Sequence, residues 1–232
     1  INYWGRAGLR VSLFPQFREA RSLLRYGATS TVFNFLNYSA SKLDLLVLDK
    51  FLPIAKDAMV GLYERSVYIM NTPVTVLGKL SDSVLFSGMS GVQDEQQRLR
   101  QIFYGGVYVV TTLVLPGIVL LELFMKDVVL ILVGTKLLSV VPYARILVLA
   151  ILFRSWIKVC DAVVRAVDAI APASAIKACF CLMVGCSAWL GATTELSALC
   201  IGMVVATTIQ AIAMLILTQR HVQFEWSMLL RL

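Results

Sequence analysis

The sequence has little charge and almost no histidine, and both shortages limit what the protein can be. Only 15% of its 232 residues are charged and 59% are hydrophobic, whereas a soluble domain is about 25% charged and about 45–50% apolar. The composition therefore excludes an ordinary soluble domain and predicts a polytopic membrane protein. The single histidine, His221, follows the last apolar run. We therefore expect no metal site, no cofactor and no catalytic residue, and the protein is not expected to be an enzyme.

Long polar connections are also missing from the chain. No loop is long enough to fold as a separate domain, which argues against a membrane enzyme with an extramembrane catalytic part. We expect no nucleic-acid partner. The five cysteines all lie in apolar stretches, where they are predicted to be buried as small hydrophobic residues rather than to form disulfides or bind metal.

Six stretches are predicted to cross a membrane, which takes about 20 mostly apolar residues in a helix. We therefore expect an all-α integral membrane protein, a six-helix transmembrane bundle over residues 23–219. Residues 1–22 and 220–232 would form a cytoplasmic segment and a cytoplasmic tail. The predicted spans are 23–48, 60–87, 101–124, 138–166, 172–194 and 196–219.

The distribution of lysine and arginine near the span ends predicts the orientation. Eleven basic residues, Lys177 among them, fall on the side of the leading segment, and four fall on the opposite side. This bias places both termini in the cytoplasm and agrees with an even number of spans. The chain begins with Ile1 rather than methionine, and we interpret it as a piece of a longer protein.

Three of the predicted spans carry polar residues at intervals of three and four, which places them on one helix face. We call each such face a polar stripe. Leaving one charge in hydrocarbon costs at least about 2.5–3.5 kcal/mol, so the stripes are predicted to face a shared, water-accessible cavity. The other three spans would form its outer wall. The stripes consist of Ser30, Asn34, Asn37, Ser41 and Asp44; Glu64, Tyr68, Asn71, Thr75, Lys79 and Asp82, with Arg65 beside them; and Arg154, Lys158, Asp161, Arg165 and Asp168.

An alternative is that the polar stripes only hold helices together, as Asn, Ser and Thr do in many membrane bundles. This alternative is weaker for Arg154 and Lys158, because two like charges one helical turn apart repel each other. It stays open for the first span, which carries mostly uncharged polar residues.

A series of short motifs follows in fixed order along most of residues 20–220. The motifs are LLRYG at 23–27, LDLLVL at 43–48, GLYER at 61–65, Pro73, VLF at 84–86, DEQQRL at 94–99, and Gly134-Thr135-Lys136 followed by Ala144 and Leu147. This series resembles the Wzx-like flippases, the O-antigen and exopolysaccharide exporters of the multidrug/oligosaccharidyl-lipid/polysaccharide superfamily. Ser87 and Pro53 depart from the usual Pro and Gly of that pattern.

The resemblance implies a transporter of two six-helix lobes, of which this chain is the second. Its substrate would be a polyprenyl-pyrophosphate-linked oligosaccharide, flipped across the bacterial inner membrane. The implied partners are membrane lipid and the N-terminal lobe of the same protein, together with a polysaccharide polymerase and a chain-length regulator.

The polar stripes suit such a substrate, because Arg and Lys bind phosphate and amide or hydroxyl groups bind sugars. We predict phosphate contacts from Arg154, Lys158 and Arg65. Asp44 and Asp161 are expected to bind a coupling ion or to form ion pairs. Sugar contacts are predicted from Asn34, Asn37, Tyr68 and Asn71.

Three other functions remain as alternatives. A drug or cation antiporter of the same superfamily would need an acid-rich cavity, which the basic pair Arg154 and Lys158 disfavours. The others are a non-transport membrane subunit of a polysaccharide pathway and a purely structural bundle.

Overall fold

The computed structural model describes residues 17–51, 57–80, 88–89, 91, 95–132 and 134–224. Asp82 and the tail residues 225–232 lie outside the described residues. Within the described part of the chain the regular elements are helices and no residue is in a strand. This confirms the all-α prediction.

The described helices overlap the predicted spans in sequence, and residues 81–87 of the second predicted span lie outside the described residues. Helix α1 continues without a break across the predicted boundary between the cytoplasmic segment, which ends at residue 22, and the bundle, which starts at residue 23. The helices are α1 (Phe17–Phe51), α2 (Asp57–Leu80), α3 (Gln96–Leu123), α4 (Met125–Leu132), a 3₁₀ helix (Thr135–Val140), α5 (Val141–Val148), α6 (Ala150–Ala166), α7 (Ile170–Thr193) and α8 (Leu196–Val222).

Three of the described helices, α3, α7 and α8, are long and apolar enough to cross a membrane. They correspond to the third, fifth and sixth predicted spans, which are the ones without a polar stripe. Several crossings in one chain make this a multi-pass membrane protein. Helices α1, α2 and α6 carry the polar stripes, and their place in a six-helix bundle stays a prediction.

The fourth predicted span is not one continuous helix. The 3₁₀ helix covers its first residues, and Pro142 lies in the first turn of α5, a position that proline favours because its missing N–H has no helical partner there. Leu149 separates α5 from α6 but keeps helical backbone angles of −60° and −26°. The stripe on α6 therefore lies on a 17-residue helix rather than on the predicted longer one.

Helices α6 and α7 are joined by a sharp turn at Asp168, whose φ of +54° lies in the left-handed region. Asp tolerates this region better than most residues with a side chain. Helices α7 and α8 then pack closely. A methyl group on Gly202 would come within 2.6 Å of Ser187 Oγ, and one on Gly191 would overlap the side chain of Leu199. Small residues at such crossings let membrane helices approach each other.

The order of packing leaves room between the polar-striped helices. Helix α1 packs mainly against α7, α7 against α8, and α8 against α6, while α2 packs against α5 and α6 and α3 against α6. Helices α1 and α2 touch each other much less. An opening therefore remains between α1 and α2, and α6 and α7 line it.

The cysteines are free thiols, but the prediction that all of them are buried is wrong at two positions. Cys160 and Cys200 are buried, whereas Cys179 and Cys186 are exposed on α7. They share the outer face of that helix with Leu182, which is 72% exposed. A small apolar side chain suits a face that turns toward lipid as well as it suits a core.

Candidate functional site

A cavity of about 510 Å³ lies among five of the helices. Most of its lining comes from the middle of α1, the second half of α2 and the middle of α6, with two residues from α7 and one from α8. The lining residues that carry the site are Asn34, Asn37, Ser41, Asn71, Thr75, Lys79, Arg154, Lys158, Asp161, Lys177 and Gln210.

The three polar stripes meet in this cavity, as the sequence predicted. Each of α1, α2 and α6 contributes three or more stripe residues to the lining. Because these residues are far apart in sequence, the convergence is a property of the fold and not of local helix geometry. Six of the predicted site residues lie in the cavity: Asn34, Asn37, Asn71, Arg154, Lys158 and Asp161.

The charge of the cavity is positive. Among the described residues, four basic side chains line it, from Lys79, Arg154, Lys158 and Lys177, against the acidic Asp161. Opposite charges attract more strongly where water is scarce, so this lining favours an anion.

Arg154 is positioned by α2. Its Nη1 donates a hydrogen bond of 2.7 Å to Asn71 Oδ1. Its Nε is buried and has no hydrogen-bond partner among the described residues. One guanidinium nitrogen is therefore fixed by Asn71, while the Nε–H of the same group has no acceptor among the described residues.

Lys158 lies one helical turn after Arg154 and passes close to α2. Its Cδ and Cε lie 3.6 Å from the place where Gly78 would carry a Cβ. The lysine stem thus lies along α2 at Gly78, and packing of the stem against a neighbouring helix is common for long basic side chains.

Lys177 is a cavity residue that the sequence analysis missed, because it was counted among the cytoplasmic basic residues. It is only 1% exposed. Its Nζ donates to Asn37 Oδ1 at 2.7 Å and to Asp161 Oδ2 at 3.1 Å, and it lies 4.6 Å from the ring centre of Phe33. Its place inside the predicted span 172–194 was the signal that could have found it, since ionisable residues within spans mark functional sites.

Tyr38 of α1 is another polar lining residue that the sequence analysis did not single out, and Gln210 of α8 is a third. Gln210 is buried, with 6% of its surface exposed, and it lines the cavity beside Phe180 of α7. The expectation that the unstriped helices form only an outer wall is therefore wrong for α7 and α8. Among the described residues, α3 contributes nothing to the lining.

Three predicted site residues lie outside the cavity lining. Asp44 is 2% exposed, and its Oδ2 accepts a hydrogen bond of 2.7 Å from the Tyr63 hydroxyl. Arg65 and Tyr68 are exposed on α2. Asp44 thus links α1 to α2, while Arg65 and Tyr68 lie on the part of α2 that precedes the cavity.

Two relatives have sequences similar to this chain. The lipopolysaccharide biosynthesis protein WzxC of Escherichia coli K12 is 28% identical over 155 residues, which cover 67% of this chain and 31% of WzxC. An uncharacterized membrane protein in the cps region of Klebsiella pneumoniae is 27% identical over 135 residues, 58% of this chain and 27% of that protein. The chain thus spans less than a third of the length of these relatives.

A family profile described as polysaccharide biosynthesis protein matches residues 1–142. The match includes α1 and α2, which supply more than half of the described lining residues, and it ends before α6. It covers more than half of the chain. The chain therefore belongs to the polysaccharide biosynthesis protein family, which confirms the resemblance of its motifs to the Wzx-like flippases.

Proposed function

We propose that the protein translocates a polyprenyl-pyrophosphate-linked oligosaccharide across the bacterial inner membrane for polysaccharide biosynthesis and export. The observation that carries this proposal is the positively charged, amide-lined cavity among helices of a membrane protein. Such a substrate has an anionic pyrophosphate, polar sugars and an apolar tail. The cavity suits the first two, and the tail remains in the lipid.

Arg154 and Lys158 bind the pyrophosphate in this proposal. A guanidinium offers several donors in one plane and binds phosphate oxygens in pairs, whereas an ammonium acts as a compact point charge. The free Nε of Arg154 supports this role, because a buried donor without a partner is costly until a ligand satisfies it.

The amide side chains bind the sugar hydroxyls. Asn34 and Asn37 face the cavity from α1, Asn71 from α2 and Gln210 from α8. An amide both donates and accepts hydrogen bonds, which allows it to pair with a hydroxyl in either sense. Amides from three helices can therefore contact one sugar unit from several sides.

Of the remaining predicted residues, Arg65, Tyr68 and Asp44 lie outside the cavity lining, whereas Asp161 lies within it. Arg65 and Tyr68 precede Asn71 and Thr75 along the exposed face of α2, and we assign them early contacts with phosphate and sugar. Asp44, buried against Tyr63, is the candidate for binding a coupling ion. Asp161 forms an ion pair with Lys177.

The architecture proposed for the whole transporter follows the family resemblance. The striped helices α1, α2 and α6 join α3, α7 and α8 in a six-helix lobe, with both termini in the cytoplasm. A second lobe of the same protein completes the transporter, and a polymerase and a chain-length regulator act on the exported product. A cation antiporter is disfavoured, since the described residues of the lining include four bases and one acid.

Transport in proteoliposomes tests the proposed function. Liposomes would carry a fluorescent polyprenyl-pyrophosphate-linked oligosaccharide, and an added glycosidase would cleave only the glycans of the outer leaflet. We expect the protein to make the inner-leaflet glycans cleavable, while protein-free liposomes keep them protected. Continued protection in the presence of the protein, together with uptake of a dye cation, would contradict the proposal and favour the antiporter.

A further inference from the structure

The ammonium of Lys177 is held in the cavity wall by one carboxylate and one amide. Asp161 Oδ2 lies 3.1 Å from Nζ, and the two side chains are 4% and 2% exposed. Asn37 Oδ1 lies closer, at 2.7 Å. The ammonium is therefore positioned from α1 as well as from α6.

The carboxylate of Asp161 is only half satisfied. Its Oδ1 is buried and has no hydrogen-bond partner in the described part of the chain. A buried ion pair offsets its desolvation well only when hydrogen bonds satisfy its remaining atoms. In the Asp161–Lys177 pair the Oδ1 atom has no such hydrogen bond among the described residues. An anion whose oxygens are all hydrogen-bonded can therefore compete with Asp161 for the ammonium.

We propose that the Lys177 ammonium is a binding site for a phosphate-type oxyanion, and that the Asp161 carboxylate occupies this site as an internal counter-ion until the anion displaces it. The inference rests on the proposed function, because the substrate of that function carries a pyrophosphate. A pyrophosphate brings more negative charge than one carboxylate and several acceptor oxygens, and ammonium–phosphate pairs are strong charge-assisted contacts.

A basic neighbour of Asp161 can pair with its carboxylate after the phosphate displaces it from Lys177. Lys158 lies three residues earlier on the same helix and lines the same cavity. Side chains at this spacing are neighbours on a helix surface. When phosphate takes Lys177, the displaced carboxylate can turn to Lys158, because the three donors of an ammonium allow it to contact a carboxylate and a phosphate at the same time.

Two chemical sources can supply this phosphate group. One is the pyrophosphate of a lipid-linked substrate, and the other is the headgroup of an anionic phospholipid that enters between α1 and α2. Both would contact Lys177 through phosphate oxygens, so the test needs separate lipid compositions to distinguish them.

Titration with inorganic pyrophosphate tests the inference. The purified protein would be embedded in phosphatidylcholine nanodiscs and titrated by calorimetry. Asp161→Asn removes the competing carboxylate, and we expect it to bind pyrophosphate about tenfold more tightly than wild type. Asp161→Asn/Lys177→Gln keeps a polar pair without buried charge and should bind about tenfold more weakly than wild type. The control Lys126→Gln changes an exposed base outside the cavity and should bind as wild type does.

Thermal unfolding gives a second readout if Asp161→Asn is unstable. Its ammonium lacks a counter-ion, so pyrophosphate should raise its melting temperature more than that of wild type, because a ligand that binds the folded state stabilises it. Equal pyrophosphate affinity and equal thermal shifts in wild type and both variants would overturn the inference. If Arg154→Gln alone weakens binding in that case, the proposed function stands. Absence of pyrophosphate binding to wild type would overturn both.

Nanodiscs that contain phosphatidylglycerol distinguish the two sources. If this lipid weakens pyrophosphate binding to wild type but not to the double variant, a phospholipid headgroup reaches Lys177, and the site is supported with lipid as its second ligand. If the affinity of wild type is the same in both lipids and the variants differ as expected, the site is supported with pyrophosphate as its ligand.

Discussion

Replacing both Arg154 and Lys158 by glutamine is expected to lower polysaccharide export by about a hundredfold or more. Each substitution removes a charge-assisted contact to phosphate worth about 1.5–3 kcal/mol, and about 1.4 kcal/mol corresponds to a factor of ten. Each single variant should lose about tenfold. Glutamine keeps most of the side-chain volume and remains polar. The loss would therefore reflect charge rather than packing.

Export in a strain that lacks its own flippase is the measurement for these variants, with membrane levels of the protein determined in parallel. Lys126→Gln is the matched control, since Lys126 is an exposed base on α4. Export at the wild-type level by the double variant, at equal protein level, would show that these two bases do not carry the substrate phosphate.

Lys177→Met is expected to destabilise the protein by about 3–5 kcal/mol, the usual effect of removing one partner from a buried ion pair. Methionine fills most of the space of the lysine stem but leaves Asp161 charged and buried, and Asn37 loses its donor. Lys177→Met/Asp161→Leu removes both charges. Because apolar replacements of a buried pair are often neutral or stabilising, the double variant should recover most of the lost stability.

Denaturant unfolding of the purified protein in detergent measures the free energy of unfolding of both variants. This measurement does not depend on substrate binding or export. A loss below about 1 kcal/mol for Lys177→Met would match an exposed ion pair and contradict the buried geometry. Failure of the Asp161→Leu change to restore stability would show that the lysine acts through Asn37 or Phe33 rather than through Asp161.

Much of the cavity was predictable, because the cost of placing charge in lipid leaves few orientations for a polar stripe. Arg154, Lys158 and Asp161 repeat every three or four residues on an apolar helix, and the stripes of α1 and α2 have the same period. Each therefore had to turn inward. That reasoning predicts which face of each helix points inward. The structure adds the order in which the helices pack, and this order brings the three polar faces together.

Lys177 and Gln210 were missed because neither belongs to a repeated series of charged or amide residues; the other polar residues in the apolar parts of α7 and α8 are serines and threonines. A stripe is visible through its repetition, whereas one side chain shows no period. The pairing of Lys177 with Asp161 joins α7 to α6 and that with Asn37 joins α7 to α1. These contacts depend on tertiary packing, which spacing along one helix does not encode.

Asp44, Arg65 and Tyr68 show that a periodic pattern predicts the helix face of a residue but not its position along the helix axis. Asp44, late in α1, contacts Tyr63, early in α2, so the two helices run antiparallel. Residues after Ser41 are then level with residues before Asn71. All three side chains therefore lie beyond one end of the cavity, although they share the faces of the residues that line it.

The central claim is that α1, α2 and α6 turn their polar stripes toward one aqueous, positively charged cavity inside the membrane. Thiol labelling in intact membranes tests it most directly. The five native cysteines would be replaced by alanine, and Ser41→Cys, Thr75→Cys and Lys158→Cys compared with Leu120→Cys on the exposed face of α3. We predict that a charged, membrane-impermeant maleimide labels the first three and not Leu120→Cys. Protection of all three from that reagent, with labelling only by a lipid-soluble maleimide, would contradict the claim.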